Sequence, residues 1–153
     1  TFEMNINDAM EFLYTYTWGW DSFDREVQEQ YGVMTSTQYK NLAKQLALIA
    51  VGRTPVFYAG SLMAPIAYKW KISWNESAKN VAFWNELPEF NHNELIGWSS
   101  HPVEKPFAVF DLKSHLEHPR ILKRFEVSDR LLSGKRPKAH VIDIQGNRVK
   151  KFW

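Results

Sequence analysis

Apolar positions in the first third of the chain recur with the period of an α-helix. In residues 36–52, STQYKNLAKQLALIAVG, one apolar face is formed by Leu42, Leu46 and Ile49 together with Ala43, Ala47 and Ala50. Ser36 or Thr37 can cap the start of this helix, and Gly52 ends the pattern. Earlier segments carry apolar residues at a similar spacing. The pattern therefore predicts N-terminal helices over about residues 6–51.

Beyond residue 53 the pattern changes to short apolar runs that alternate with helical segments. Continuous runs typical of buried strands occupy residues 54–61, 105–112 and 138–146. Helices are predicted at 62–71 and 118–135, each with a proline near its start. Buried strands separated by helices imply crossover connections. The predicted fold is therefore α/β and doubly wound, with a mainly parallel sheet, helices on both faces, and helical segments before it.

Length and composition limit the class of protein. At 153 residues the chain suits one domain, 1–153. The absence of cysteine excludes a disulfide scaffold and thiolate zinc sites. No apolar run reaches the length of a membrane span and no signal-peptide pattern is present, so a cytoplasmic protein with no membrane partner is expected. A start at Thr1 and an aromatic end at Trp153 suggest a piece of a longer protein.

Charge is distributed unevenly along the chain. Residues 1–100 carry seven Lys and Arg against eleven Asp and Glu, and residues 101–153 carry twelve against six, so the halves have net charges of −4 and +6. A basic half can attract nucleic acid or a phosphorylated small molecule, although a solvated surface is the simpler explanation. Nucleic-acid binding has no motif or stacking aromatic residue to support it among the basic positions, so none is predicted. Those positions are Lys123, Arg124, Arg130, Lys135, Arg136 and Lys138.

Several familiar site motifs are missing. The chain has no GxGxxG, GxxxxGK[ST] or GxSxG sequence. His115 and His118 can share a helical face, but no third ligand lies nearby, so no metal site is predicted. Gly60 and Ser61 stand where a strand turns into a helix, and free backbone amides there can bind an anion. An ordinary turn is the alternative explanation, so these two are only candidate substrate-binding residues.

The stretch from 74 to 98 combines aromatic residues with isolated ionisable ones. Glu76 and His92 are each flanked by asparagine and lie sixteen residues apart, so only tertiary folding can bring them together, in one subunit or across an interface. A carboxylate desolvated by an aromatic wall has a raised pKa and accepts protons better near neutral pH. On residue types alone, a surface glutamate and a loop histidine explain the pair more simply. The residues expected to form the wall are Trp74, Phe83, Trp84, Phe90 and Trp98.

Five segments together resemble the bacterial and archaeal phosphoglucose isomerase family of the sugar isomerase (SIS) fold, which includes bifunctional phosphoglucose/phosphomannose isomerases. The resemblance covers roughly residues 40 to 150, and its most specific part is the pair NExAK and PExNHNExxGW. The segments are NLAKQLA at 41–47, RTPVFYAG at 53–60, AYKWKISWNESAK at 67–79, ELPEFNHNELIGW at 86–98 and HPRILKRFEVSDRLL at 118–132.

The resemblance implies a particular part of an enzyme. It makes this chain the second, C-terminal of two SIS subdomains, with the family's base at Glu76 and its ring-opening histidine at His92. It implies interconversion of glucose 6-phosphate and fructose 6-phosphate through an enediol, without metal or organic cofactor, in a homodimer. Mannose 6-phosphate as a second substrate stays open, as does the question of which subunit His92 serves. Ser73 and Trp74 replace the family's common Gln and Leu, which puts specificity in question.

Parts of the family pattern do not occur in this chain. The N-terminal SIS subdomain with its phosphate-binding loops, the C-terminal lysine and the inter-domain arginine have no counterpart among these residues. The isolated chain is therefore expected to be catalytically incomplete. A non-catalytic SIS module that binds phosphosugars is the alternative. Such a sensor needs the pocket but not Glu76, so the presence of Glu76 and His92 favours the enzyme.

Overall fold

Helices and strands alternate along the chain in the computed structural model, which describes residues 36–100 and 106–144, with side chains from residue 42 onward. The helices predicted before residue 36 lie outside these ranges. None of the helices in the described ranges is long and apolar enough to span a membrane. The elements are α1 Ser36–Ala50, β1 Thr54–Gly60, α2 Ala64–Ser77, β2 Phe83–Leu87, α3 Glu89–Ser99, β3 Phe107–Lys113, α4 Pro119–Leu131 and β4 His140–Asp143.

The four strands form one parallel sheet in the order β2-β1-β3-β4. Because each strand is followed by a helix that returns to the start of the next, all strands end at the same edge of the sheet. This carboxyl edge is marked by Gly60, Leu87 and Lys113, and the opposite amino edge by Thr54 and Phe83. The predicted doubly wound, parallel α/β fold is confirmed.

The core is divided between the two faces of the sheet. Alternate residues of β1 point to opposite sides, so Phe57 and Ala59 join one buried cluster while Val56 and Tyr58 join the other. The first cluster lies under α1 and α2 and the second under α3 and α4. Helices therefore cover both faces, as the unbroken apolar runs of the central strands predict.

Two elements were not predicted from the apolar pattern, β2 and α3. β2 is an edge strand in which only Leu87 is buried, so the sequence FWNEL lacks the continuous apolar run of β1 and β3. α3 buries only Phe90 and Trp98, eight residues apart, and contains Gly97, which lowers helix propensity. The predicted helix at 62–71 is also longer than expected, because α2 continues to Ser77.

Candidate functional site

Glu76 lies in the last turn of α2, at the amino edge of the sheet. The preceding Asn75 accepts a hydrogen bond from the backbone N–H of Ala82 at 2.8 Å, which ties the helix end to the loop before β2. Lys79 then adopts a left-handed backbone with φ of 53°, and its ammonium donates to the Glu76 carbonyl oxygen. The Glu76 side chain is left exposed to solvent.

His92 lies in the first turn of α3, just below the carboxyl edge. Its imidazole is 82% exposed, and Nδ1 is 3.9 Å from Glu89 Oε2. The two flanking asparagines are engaged elsewhere: Asn91 Nδ2 donates to Ser128 Oγ at 2.6 Å, and Asn93 Nδ2 donates to Glu89 Oε1 at 2.8 Å. The asparagines around His92 thus hold the helix, while the imidazole points outward.

Within one chain the structure does not bring Glu76 and His92 together. They lie near opposite edges of the sheet, and the four rises from Phe83 to Leu87 along β2 alone span roughly 13 Å. They also lie on opposite faces, because α2 packs with the first buried cluster and α3 with the second. The sheet therefore stands between the two side chains.

The single aromatic wall expected around Glu76 is not formed. Trp74 is 1% exposed inside the first cluster, and Trp84 packs against that cluster, whereas Phe90 and Trp98 belong to the second. Phe83 is half exposed on the edge strand. The two positions that depart from the family pattern, Ser73 and Trp74, are buried in the core.

The turn at Gly60 and Ser61 is occupied by the chain's own groups. Glu117, 6% exposed, accepts a hydrogen bond from the Met63 N–H at 3.1 Å at the start of α2. A Cβ on Gly60 would lie 2.5 Å from Glu117 Cδ, so only glycine leaves room for this carboxylate. Ser61 Oγ donates to the Leu87 carbonyl at 3.3 Å. These contacts give Gly60 and Ser61 a structural role. Their part in substrate binding stays a prediction.

A hydrogen-bonded group that the sequence did not reveal links α3 to the sheet. The Tyr58 hydroxyl donates to Glu94 Oε2 at 2.5 Å and accepts from Trp98 Nε1 at 2.9 Å. Asn85 Nδ2 donates to the other carboxylate oxygen, Glu94 Oε1, at 2.7 Å. We call these four residues the Tyr58 cluster. Phe90, Glu94 and Trp98 are spaced four residues apart, which places them on one face of a helix. This spacing indicates the cluster only when residues 89–99 are known to be helical.

Asp111 is a second buried ionisable group on the same face of the sheet. It is 2% exposed on β3, and Lys113 Nζ lies 3.9 Å from its Oδ2. Burial raises the pKa of Asp111 to about 6, although the positive charges of Arg136 and Lys113 oppose the rise. Arg136 is itself buried, with its guanidinium 5.8 Å from the Tyr58 ring and Nη2 3.6 Å from Asp129.

Asp111 is expected to make the folded state less stable as pH rises from about 4 to about 6. Its folded pKa, about 6, lies above the usual 3.8, so the folded state holds the proton more tightly. The stabilisation is complete below the usual pKa and is lost as pH passes through the folded one. The folding free energy lost across this interval is about 3 kcal/mol. Urea unfolding of wild type and Asp111→Asn should show a stability difference that shifts by this amount across the interval, and a constant difference would contradict it.

The histidines of the HxxH pair have no shared ligand role in the described ranges. His118 caps α4, because its Nδ1 accepts a hydrogen bond from Arg120 N at 3.1 Å. Across residues 36–100 and 106–144, no three histidine, aspartate or glutamate side chains converge as a metal site requires.

Comparison with known proteins identifies several relatives. A bifunctional phosphoglucose/phosphomannose isomerase from Aquifex aeolicus is 33% identical over 93 residues, which cover 61% of this chain and 29% of that protein. One from Thermoplasma acidophilum is 28% identical over 69% of this chain and 34% of that protein. A D-glucosamine-6-phosphate 4-epimerase from Sulfolobus acidocaldarius is 42% identical over 64 residues, which cover 42% of this chain and 21% of that protein. No solved structure matches the chain significantly.

Each match spans about a third or less of the relative's own length. The family profile of the bacterial phospho-glucose isomerase C-terminal SIS domain matches residues 39–151, most of the chain. That range contains the whole sheet together with α2 and α3, which carry Glu76 and His92. The chain therefore belongs to the bacterial phosphoglucose isomerase family, as its C-terminal SIS domain.

Proposed function

We propose that this chain is the C-terminal subdomain of a longer phosphosugar isomerase that interconverts glucose 6-phosphate and fructose 6-phosphate. The observation that carries the proposal is the family match over residues 39–151, which includes both NESAK and PEFNHNE. The names of the isomerase relatives support mannose 6-phosphate as a further substrate. No metal or organic cofactor is required for the proposed chemistry, because each step is a proton transfer coupled to a shift of electron pairs within the sugar.

In the proposed mechanism, Glu76 carries a proton between C2 and C1 of the open-chain sugar. Its carboxylate takes the C2 proton of the aldose, and the electrons form the C1–C2 double bond of an enediol while the C1 oxygen gains a proton. Return of the proton to C1, with loss of the C2 hydroxyl proton, yields the ketose. His92 acts earlier, by transferring a proton to the ring oxygen as its bond to C1 breaks and the C1 hydroxyl loses its proton to leave the aldehyde. General acid–base catalysis of this kind contributes about 10²–10⁴ in rate.

The proposed site is shared between two copies of the chain. Glu76 and His92 lie near opposite edges and on opposite faces of one sheet, so a single sugar cannot reach both in one copy. His92 of one copy can meet Glu76 of another in a symmetric dimer. Ile96, one helical turn from His92 and 71% exposed, supports this, because an apolar side chain beside the imidazole suits a surface that becomes covered.

A covering copy also supplies what Glu76 lacks in the single chain, an apolar environment. Val81 and Phe83 follow Glu76 at the amino edge and are 54% and 53% exposed. Burying them under a partner would exclude water near the carboxylate. Exclusion of water in this way strengthens a carboxylate as a base.

The test is turnover by the full-length protein that contains this chain. With fructose 6-phosphate in deuterium oxide, we expect glucose 6-phosphate that carries deuterium at C2. Without turnover of fructose 6-phosphate the proposal fails. The isolated 153-residue chain, assayed in parallel, is expected to be inactive because the family's phosphate-binding loops and C-terminal lysine have no counterpart in it.

A second reaction deserves the same assay because of the Sulfolobus acidocaldarius relative, a D-glucosamine-6-phosphate 4-epimerase. Its name shares the 6-phosphosugar class with the isomerases but places the reaction at C4. Conversion of glucosamine 6-phosphate without conversion of fructose 6-phosphate would favour this alternative. Tight binding of either sugar without conversion would favour a non-catalytic module.

A further inference from the structure

Tyr58 is a buried polar residue that contacts three residues of α3, namely Phe90, Glu94 and Trp98. It is 1% exposed in the centre of β1. Its ring centroid is 4.4 Å from that of Phe90, and its hydroxyl is bonded to Glu94 and Trp98. These three positions follow one another at intervals of four residues, so they form one stripe along the helix. One side chain of the sheet thus sets the distance and register of the whole helix.

Glu94 extends this connection to a third element. One carboxylate oxygen accepts from Tyr58 of β1, and the other accepts from Asn85 of β2. Burial raises the pKa of Tyr58, and the charge of Glu94 raises it further, so the phenol stays a protonated donor. The Tyr58 cluster therefore joins two strands and α3 through hydrogen bonds, whose geometry is directional.

Other attachments of α3 are both apolar and polar. Its fully buried residues are Phe90 and Trp98, Leu95 packs partly buried against the same cluster, and Asn93 Oδ1 accepts from Asn85 Nδ2 at 3.3 Å. At its start, Asn91 donates to Ser128 Oγ at 2.6 Å and accepts from Arg124 at 3.3 Å. The position of this helix thus depends on directional polar contacts as well as on packing.

We propose that Tyr58 and Glu94 are positioning residues for His92. His92 lies between Phe90 and Glu94 on the outward side of α3, so any tilt or slide of the helix displaces the imidazole by a similar distance. A displacement of 1 Å can cost about 100-fold in rate when a reacting group must be aligned. This inference rests on the ring-opening role proposed for His92, and it adds the residues that hold the histidine in place.

The test is Tyr58→Phe in the full-length protein, which removes only the hydroxyl. On closed-ring glucose 6-phosphate, kcat should fall roughly 10- to 100-fold, with KM within a few-fold. On an analogue that lacks the 4- and 5-hydroxyls and cannot cyclise, the rate should stay within about twofold, because Glu76 lies on the other face of the sheet. Tyr68→Phe is the matched control, since that tyrosine is exposed on α2, and it should leave both rates unchanged.

Two further variants separate the possible outcomes. Glu94→Gln should reproduce the difference between substrates, and circular dichroism will show that each variant is folded under assay conditions. Suppose that His92→Ala slows the closed-ring substrate more than the open-chain analogue, while folded Tyr58→Phe and Glu94→Gln do not. The positioning role is then overturned, and the proposed function stands. Equal slowing on both substrates by Tyr58→Phe also overturns it, since that is the effect of general destabilisation. If His92→Ala itself shows no difference, the ring-opening role fails and this proposal with it.

Discussion

Glu76→Gln in the full-length protein is expected to slow proton transfer between C1 and C2 by on the order of 10²–10⁴. Glutamine keeps the size and hydrogen-bonding shape of the side chain but removes the basic oxygen. Affinity for substrate should stay within a few-fold, because in the proposed mechanism Glu76 moves a proton and does not hold the sugar phosphate. Deuterium exchange at C2, followed by NMR, measures the step directly, since it reports proton transfer whether or not the product leaves.

The structure supplies two controls for this experiment. Because the Glu76 side chain is exposed, its substitution should change the free energy of unfolding by no more than about 0.5 kcal/mol. Glu126→Gln is the matched variant, because Glu126 is an exposed glutamate of α4 paired with Lys123 at 2.6 Å. It should exchange deuterium at the wild-type rate. Wild-type exchange by Glu76→Gln itself would rule out Glu76 as the base.

The fold was predictable where burial is complete and less so where it is partial. β1 and β3 are covered on both faces, so most of their residues are apolar, and the runs at 54–61 and 105–112 predict them. β2 lies at the sheet edge with one buried residue, and its sequence shows neither alternation nor a continuous run. That segment forms a strand because of its position at the edge of the sheet, which the local sequence does not encode.

The sequence nominates candidate site residues but not their arrangement. Glu76 and His92 stand out because their motifs match a family, whereas nothing in a sixteen-residue spacing says that a sheet will separate them. The aromatic residues around them were expected to form one wall, yet Trp74 and Trp98 pack on opposite faces. Side-chain direction in a strand or helix depends on register, so residues near in sequence readily enter different cores.

The Tyr58 cluster is a further feature that could not be predicted from the sequence. Tyr58 lies within an apolar run and is easily taken for another core residue, although its hydroxyl is hydrogen-bonded to Glu94 and Trp98 of α3. The other members of the cluster come from β2 and α3, the two elements that the pattern did not predict. A polar network between elements therefore becomes visible only when the pairing of those elements is known.

A mixture of two inactive variants is expected to recover activity if one site takes Glu76 from one copy and His92 from another. In a hybrid dimer of Glu76→Gln and His92→Ala, one of the two sites contains both native residues and the other contains neither. Random reassociation of equal amounts makes about half of the dimers hybrid, so about a quarter of wild-type activity should return. Each variant alone should stay near background on closed-ring substrate.

This subunit-mixing assay is the most direct measurement of the proposed shared site. The full-length variants are mixed, dissociated in mild denaturant, reassociated, and assayed on glucose 6-phosphate, with each unmixed variant and wild type carried through the same steps. Recovery of about a quarter of the wild-type rate is the expected result. A mixture no more active than the average of the two variants would contradict a site built from Glu76 of one copy and His92 of its partner.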